Sequence, residues 1–176
     1  MKYFKSIEIY ILLYIFLKQI HARIYHITNY DNEIDFNNYV WNVNDEVIIY
    51  FDKDYYDFTK QYDINFQIST NVTIIGMGVN GTIFDFKDNK KGTFKIEFER
   101  ENNYSITFKN LIFQNSNNLG EDKLSLFLIT GNKLYNRVYF QDCIFRNNEI
   151  ALIKLQRDMI CSGNKFIIVS INNCQF

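Results

Sequence analysis

The chain has no proline and only two alanines, Ala22 and Ala151, while isoleucine, asparagine, lysine, tyrosine and phenylalanine abound. This is the mark of a coding sequence biased towards A and T. Asparagine richness is therefore uninformative by itself, and only the register of the asparagines counts. No segment reaches the roughly 18 uninterrupted apolar residues of a membrane-spanning helix. Charge of one sign is also missing: the formal net charge is −1 over 176 residues, with lysines and arginines scattered. That excludes the electrostatic footprint of a nucleic-acid binder. Both histidines, His21 and His26, lie near the N-terminus and there is no Cys-x-x-Cys, so a zinc site lacks a ligand set and no cofactor is expected. The cysteines, Cys143, Cys161 and Cys174, are odd in number, so at least one stays free or pairs with another molecule.

An apolar fraction of 47% and an aromatic fraction of 18% exceed what a disordered chain carries and suffice for one domain with a core. The N-terminus has the pattern of an export signal over residues 1–22. Lys2 and Lys5 precede the apolar stretch Ile9 to Leu17, and Ile20-His21-Ala22 ends in a small residue; Glu8 departs from the pattern. The alternatives are an amphipathic first helix or an uncleaved anchor that leaves the protein on a membrane. Export would also bring the sequons at Asn71, Asn80 and Asn103 into use as glycosylation acceptors, although such triplets arise by chance in an asparagine-rich chain.

The most informative feature is a phrase that recurs three times. It reads Ile106-Thr-Phe-Lys-Asn110-Leu-Ile-Phe113-Gln-Asn115, then Val138-Tyr-Phe-Gln-Asp142-Cys-Ile-Phe145-Arg-Asn147, then Val169-Ser-Ile-Asn-Asn173-Cys-Gln-Phe176. The fifth letters are 32 and then 31 residues apart (110 to 142, 142 to 173). A fixed period of this size signals a stacked architecture. Within each phrase apolar residues alternate on both sides of a polar letter, as in two half-buried strands meeting at a sharp bend. Ile106, Phe108, Leu111 and Phe113 are expected to face inward, with Thr107, Lys109 and Ile112 outward. Asparagine suits the bend because it tolerates left-handed backbone geometry.

Stacking the copies gives columns: Phe108/Phe140/Ile171, Leu111/Cys143/Cys174, Phe113/Phe145/Phe176 and, as a structural ladder, Asn110/Asp142/Asn173. Amides in such a ladder satisfy one another. Cys143 and Cys174 then replace a leucine and behave as small buried hydrophobes. A third apolar run precedes each phrase, at 94–98, 124–128 and 151–155. Upstream, Asn71 to Gly78 and Gly81 to Phe86 form an earlier, glycine-bent turn, and 44–50 and 64–68 supply two more strands. Asp31 to Trp41 is expected to form an irregular or helical lid. The competing arrangement is an antiparallel sandwich, with 94–100 and 104–113 as a hairpin around Glu101-Asn-Asn103.

The Asn-Cys-x-Phe phrase after an alternating strand, with Val72-Thr-Ile-Ile-Gly76-Met-Gly78 upstream, resembles the right-handed parallel β-helix (pectin-lyase-like) superfamily over roughly residues 46–176. The resemblance implies an all-β solenoid of about three to four coils, with residues 23–45 as an N-terminal cap. Family members include enzymes on pectin and related polysaccharides as well as non-catalytic surface proteins. The clustered aspartates, Gly-His-Gly and Arg-Ile-Lys of the enzymes have no counterpart here, and no paired aspartates are expected on neighbouring coils, so no catalytic residue is named. Outward charges on the third strand (Glu97, Glu99, Lys154, Arg157, Asp158) read as a solvated face, with Ser125, Phe127 and Ile129 leaving a gap between them. Tyr50, Tyr55, Tyr56, Tyr135 and Tyr139 are candidate surface aromatics for sugar stacking.

The expectation is thus a secreted or surface protein with a structural or adhesive role, contacting polysaccharide or cell-surface glycans. The alternative is a fragment of a polysaccharide lyase or glycoside hydrolase. Phe176 completes a strand with no cap after it, so either a longer protein continues from it or that edge docks on a partner, self-association included.

Overall fold

The structure is a computed structural model and describes residues 22–28, 36–40, 43–60, 64–87, 92–98, 103–117, 125–131, 136–156 and 167–176. In chain order the strands are β1 (Ala22–Ile27), β2 (Glu46–Phe51), β3 (Tyr55–Asp57), β4 (Ile64–Ile68), β5 (Val72–Gly76), β6 (Thr82–Asp85) and β7 (Phe94–Phe98). They continue with β8 (Ser105–Lys109), β9 (Leu111–Gln114), β10 (Phe127–Thr130), β11 (Asn136–Gln141), β12 (Ile144–Arg146), β13 (Ile153–Gln156) and β14 (Ile167–Asn172). A single helical turn, α1 (Asn37–Val40), lies between β1 and β2.

These strands form three sheets, and every pairing between them is parallel. Sheet I has the order β1-β2-β5-β8-β11-β14, sheet II the order β3-β6-β9-β12, and sheet III the order β4-β7-β10-β13. From β2 onward the chain visits sheets I, II and III in turn and then returns to sheet I beside its previous strand. The protein is all-β with stacked parallel sheets, in keeping with the expected solenoid. The antiparallel hairpin is excluded: β7 pairs with β4 and β10, and β8 with β5 and β11. Sheet I also begins further upstream than residue 46. β1, which runs from the last residue of the stretch read as an export signal into the stretch assigned to the cap, pairs with β2 from Ala22 opposite Glu46 to Ile27 opposite Phe51.

Period-two alternation decides what the stack encloses. The expected columns are present: Val138 lies opposite Ile106 and Val169, and Phe140 opposite Phe108 and Ile171. Phenylalanines form near-parallel piles, with Phe108–Phe140 centroids 5.3 Å apart and Phe113–Phe145 5.4 Å apart, both tilted by 11°. Phe145 and Phe176 continue the second pile at 5.3 Å. Piles meet edge to face, as where Phe94 and Phe113 stand at 90° with centroids 5.6 Å apart. Each fully buried ring contributes about 1.5–3 kcal/mol by leaving water, and edge-to-face pairs add roughly 0.5–1.5 kcal/mol.

Two expectations about burial change. In the run 124–128 the alternation is out of step with the simple pattern. Phe127 and Ile129 lie opposite Phe94 and Ile96 and are fully buried, while Leu128 takes the outward position opposite Lys95. Neighbouring aromatic piles set this register, because Phe127 stacks on Phe94 at 4.9 Å. Phe127 and Ile129 therefore belong to the core, not to an outer gap. Ile112 points away from the core as expected, yet it is buried, because the loop after β5 folds over it. A Cβ at Gly81 would sit 3.1 Å from its Cγ1.

The sheet I to sheet II corner is where the asparagine column does its work. Asn110, Asp142 and Asn173 have φ of 54°, 54° and 52°, the left-handed geometry expected of the bend. Asn173 Nδ2 donates to Asp142 Oδ1 at 2.6 Å, a true ladder step. Asn110 Nδ2 instead donates to the Gly76 and Gly78 carbonyls at 2.7 and 3.0 Å, because the preceding corner is a five-residue loop with no equivalent side chain. Gly76 must be glycine: a Cβ there would lie 2.3 Å from the Asn110 carbonyl oxygen. The sheet II to sheet III corner has its own left-handed residues, Lys87, Asn115 and Asn147 (φ 45°, 57° and 53°).

Leu111 and Cys143 are fully buried in one column. Burial pushes the Cys143 thiol up to about 12, so it stays protonated, with Sγ near the Phe108 carbonyl oxygen at 3.4 Å. Cys174 is half-buried, and Cys161 lies outside the described residues.

Candidate functional site

Because strand neighbours align residue for residue, outward side chains form rows across each sheet. Two of these rows assemble polar chemistry. On sheet II, Asp57 lies opposite Asp85, Asp85 opposite Gln114, and Gln114 opposite Arg146. The two aspartates therefore do sit on neighbouring strands, contrary to expectation. Strand β3 is only three residues long and carries no repeat phrase, so the sequence pattern did not reveal the pairing.

Asp85 is buried and accepts from four donors: Gln114 Nε2 (2.8 Å), Asn115 Nδ2 (2.8 Å), the Lys87 amide (3.0 Å) and the Tyr55 hydroxyl (3.2 Å). Burial alone would raise its carboxyl pKa. The donors outweigh that and hold it below the usual carboxylate range. Asp57 accepts from Lys87 Nζ at 2.7 Å and from Thr59, and its pKa is lowered to about 2, chiefly by the lysine. Arg146 Nε closes the row on Gln114 Oε1 at 2.7 Å. Both carboxylates are thus held in the ionised form by neighbouring donors. General acid catalysis needs one of a pair raised towards neutrality, and here both shift the other way. Among the described residues no three His, Cys, Asp or Glu side chains converge as a metal set.

The second assembly is a cleft of about 400 Å³ on the outward face of sheet I, lined by Asn71, Asn103, Tyr104, Ser105, Arg137 and Tyr139. Three consecutive sheet I strands and the segments leading into them build it. Arg137 lies opposite Ser105, and Tyr139 opposite Thr107. Asn71 immediately precedes β5, and its Oδ1 accepts from both the amide and the hydroxyl of Ser105 at 3.0 Å. The Tyr104 amide donates to Oδ1 of the buried Asn136 at 3.1 Å. Asparagine side chains thus pin the cleft floor where regular strand pairing has not yet begun. Arg137 is the only formally charged residue among the described lining residues. It belongs to none of the ion pairs among the described residues, and its guanidinium reaches the Tyr139 hydroxyl at 3.5 Å.

Two of the three predicted sequon asparagines, Asn71 and Asn103, fall on this cleft, whereas Asn80 is exposed in the loop after β5. Of the surface aromatics, Tyr139 lines the cleft, Tyr55 is exposed over sheet II, and Tyr50 stacks on His26 at 5.1 Å. Tyr56 is corrected: it is buried, its hydroxyl donating to the Ile27 carbonyl, because β3 turns it into the core. Tyr135, Glu99, Arg157 and Asp158 lie outside the described residues; Glu97 and Lys154 are exposed. Arg137 was missed. It stands one letter before the repeat phrase, in the same column as Ser105, and extending the phrase upstream by that letter would have found it. Comparison with known proteins returns no match: no family model, curated protein or solved structure is significantly similar to this chain.

Proposed function

We propose that the protein is a right-handed parallel β-helix of the pectin-lyase-like kind. In this proposal it is secreted or held at the cell surface, and has a structural or adhesive role in which it contacts polysaccharide or cell-surface glycans without cleaving them. Crossovers between parallel strands of one sheet are right-handed in the great majority of proteins, which favours that hand for the winding. The observation that carries the functional reading is the state of the sheet II row. Its carboxylates are held in the ionised form by neighbouring donors, so they stiffen the stack rather than offer a proton or a free ligand pair. The cleft on sheet I supplies the contact surface, with tyrosines, amides and a cation suited to a sugar ring and its substituents.

The alignment of Asp57 with Asp85 favours one alternative, a fragment of a polysaccharide lyase or glycoside hydrolase. Incubating the full chain with polygalacturonate and related polymers separates the two. The adhesive role predicts retention of the protein on immobilised polymer with no new reducing ends or unsaturated products. Turnover that disappears in Asp57→Asn or Asp85→Asn would establish the enzyme instead. Secretion is tested by expressing the full chain in a secretory host, where a new N-terminus near Ala22 and glycan at Asn71, Asn80 or Asn103 are expected.

A further inference from the structure

The two ends of the stack are finished differently. At the β1 end the mouth of the core is covered. Phe36, Val40 and Val43 are buried there, and the Phe36 ring lies against Phe66 at 4.8 Å and Phe51 at 6.1 Å. The Ser69 hydroxyl donates to the Val40 carbonyl at 3.2 Å, and Tyr39 of α1 meets Tyr25 of β1 edge to face at 4.9 Å. At the other end, formed by β12, β13 and β14, the inward-column residues Leu155, Ile171 and Phe176 are exposed.

Strand β14 is also the outer strand of sheet I. Its Asn172 carbonyl accepts from the Asp142 amide, so Ile168 and Ser170 aim their backbone groups at β11 in the same way. The N–H and C=O groups of Ile167, Val169 and Ile171 therefore point off the edge, where among the described residues no strand pairs with them. Exposed edges are ordinarily guarded by lysine, proline or a bulge. Residues 167–176 contain no charged side chain and no proline.

We propose that β14 pairs antiparallel with β14 of a second copy of this chain, in a tail-to-tail dimer centred on Val169. Val169 of one copy then faces Val169 of the other, and Ile171 faces Ile167, so the inward apolar row continues across the join. Two observations select this occupant. The edge is self-complementary, because a strand without charged side chains meets its own copy with no like charges opposed. A head-to-tail stack would set β14 against β1, which carries Arg23 and His26, and would place α1 between the two cores. The tail-to-tail contact is isologous and closes at two copies. Its dyad stands perpendicular to sheet I, so the sheet I clefts of both copies open on the same side. The dimer does not depend on the glycan-contacting role. Dilution below its dissociation constant restores the single chain with its edge exposed.

The test is sedimentation velocity of the full chain over about a hundredfold range of concentration, with hydrogen exchange read on the 167–172 segment. A monomer–dimer equilibrium with no larger species is expected, and the Val169 and Ile171 amides should gain protection as the dimer forms. That protection tests the pairing without any substitution. Ile171→Lys puts a charge on the edge and should weaken dimerisation about tenfold or more. Its circular dichroism spectrum should not change, because Ile171 is exposed. Ile24→Lys, at an exposed position on β1, should leave dimerisation unaltered. A chain that stays monomeric, with unprotected Val169 and Ile171 amides at every concentration, overturns the dimer and leaves the edge to further coils or another partner. Association that survives Ile171→Lys, that is broken by Ile24→Lys or that grows beyond two copies overturns it as well.

Discussion

The middle strands of the stack and the last ones carry the same letters in different surroundings. Phe113 is fully buried, Phe145 is 4% exposed and Phe176, in the same pile, is 72% exposed. Ile96 and Ile129 are enclosed, while Leu155, one strand further along sheet III, is 51% exposed. Phe108 and Phe140 are enclosed, and Ile171 in their column is 47% exposed. At this end of the stack, therefore, inward direction alone does not bury a side chain, whereas Phe66 in β4, at the opposite edge of sheet III and in contact with α1, is fully buried. Stability in stacked repeats is correspondingly a sum of nearest-neighbour contacts.

The sharpest way to break that comparison is to truncate one pile at two heights. Phe113→Ala should cost about 3–5 kcal/mol in urea-induced unfolding, and Phe176→Ala about 1 kcal/mol or less. Equal losses would mean that the final strand is covered in solution. Next comes the sheet II row, which ties strands together from outside. Asp85→Ala leaves four donors without their acceptor and should cost about 2–3 kcal/mol. An effect under about 0.5 kcal/mol would show that water replaces the row at no cost.

At the corners, Asn110→Ala loses two hydrogen bonds and also holds alanine in left-handed geometry, whereas Asn110→Gly loses only the bonds. Alanine should therefore be worse than glycine by about 1–2 kcal/mol, and equal effects would assign the corner wholly to the amide. The carboxylates add a pH signature. Asp57 and Asp85 have folded-state pKa values below their unfolded ones, so their contribution is complete above about pH 4. It is lost as pH falls through the folded values, about 2 for Asp57. The denaturation midpoint should stay level from neutral pH to roughly pH 5 and then decline, less steeply in Asp85→Asn. The smallest effect is chemical. With its pKa near 12 and no exposure, Cys143 should resist alkylation at pH 8 in the folded protein, while half-buried Cys174 reacts, as read by peptide mass spectrometry. Rapid labelling of Cys143 would mean that the central stack opens.

Much of this was legible in the residues because a solenoid writes its contacts at a constant offset. Matching letters 31–32 residues apart became strand partners, and the asparagine bend took up left-handed geometry at all three copies. Legibility failed where an element was short or its neighbours set the register. Strand β3 has three residues, too few for periodicity, and so the Asp57–Asp85 row was hidden. In β10 the choice between Phe127 and Leu128 as the inward residue belonged to the Phe94 ring beside it. The cleft was partly visible, through Asn71, Asn103 and Tyr139, but as unrelated positions.

By itself the sequence determined the period, the alternation and the bends. These are local matters, set by whether each side chain tolerates water or a positive φ. Only the tertiary structure decided which outward residues become neighbours, because side chains some thirty residues apart meet only once parallel strands lie about 4.8 Å from one another. That spacing turned an isolated arginine, two sequons and two tyrosines into one surface.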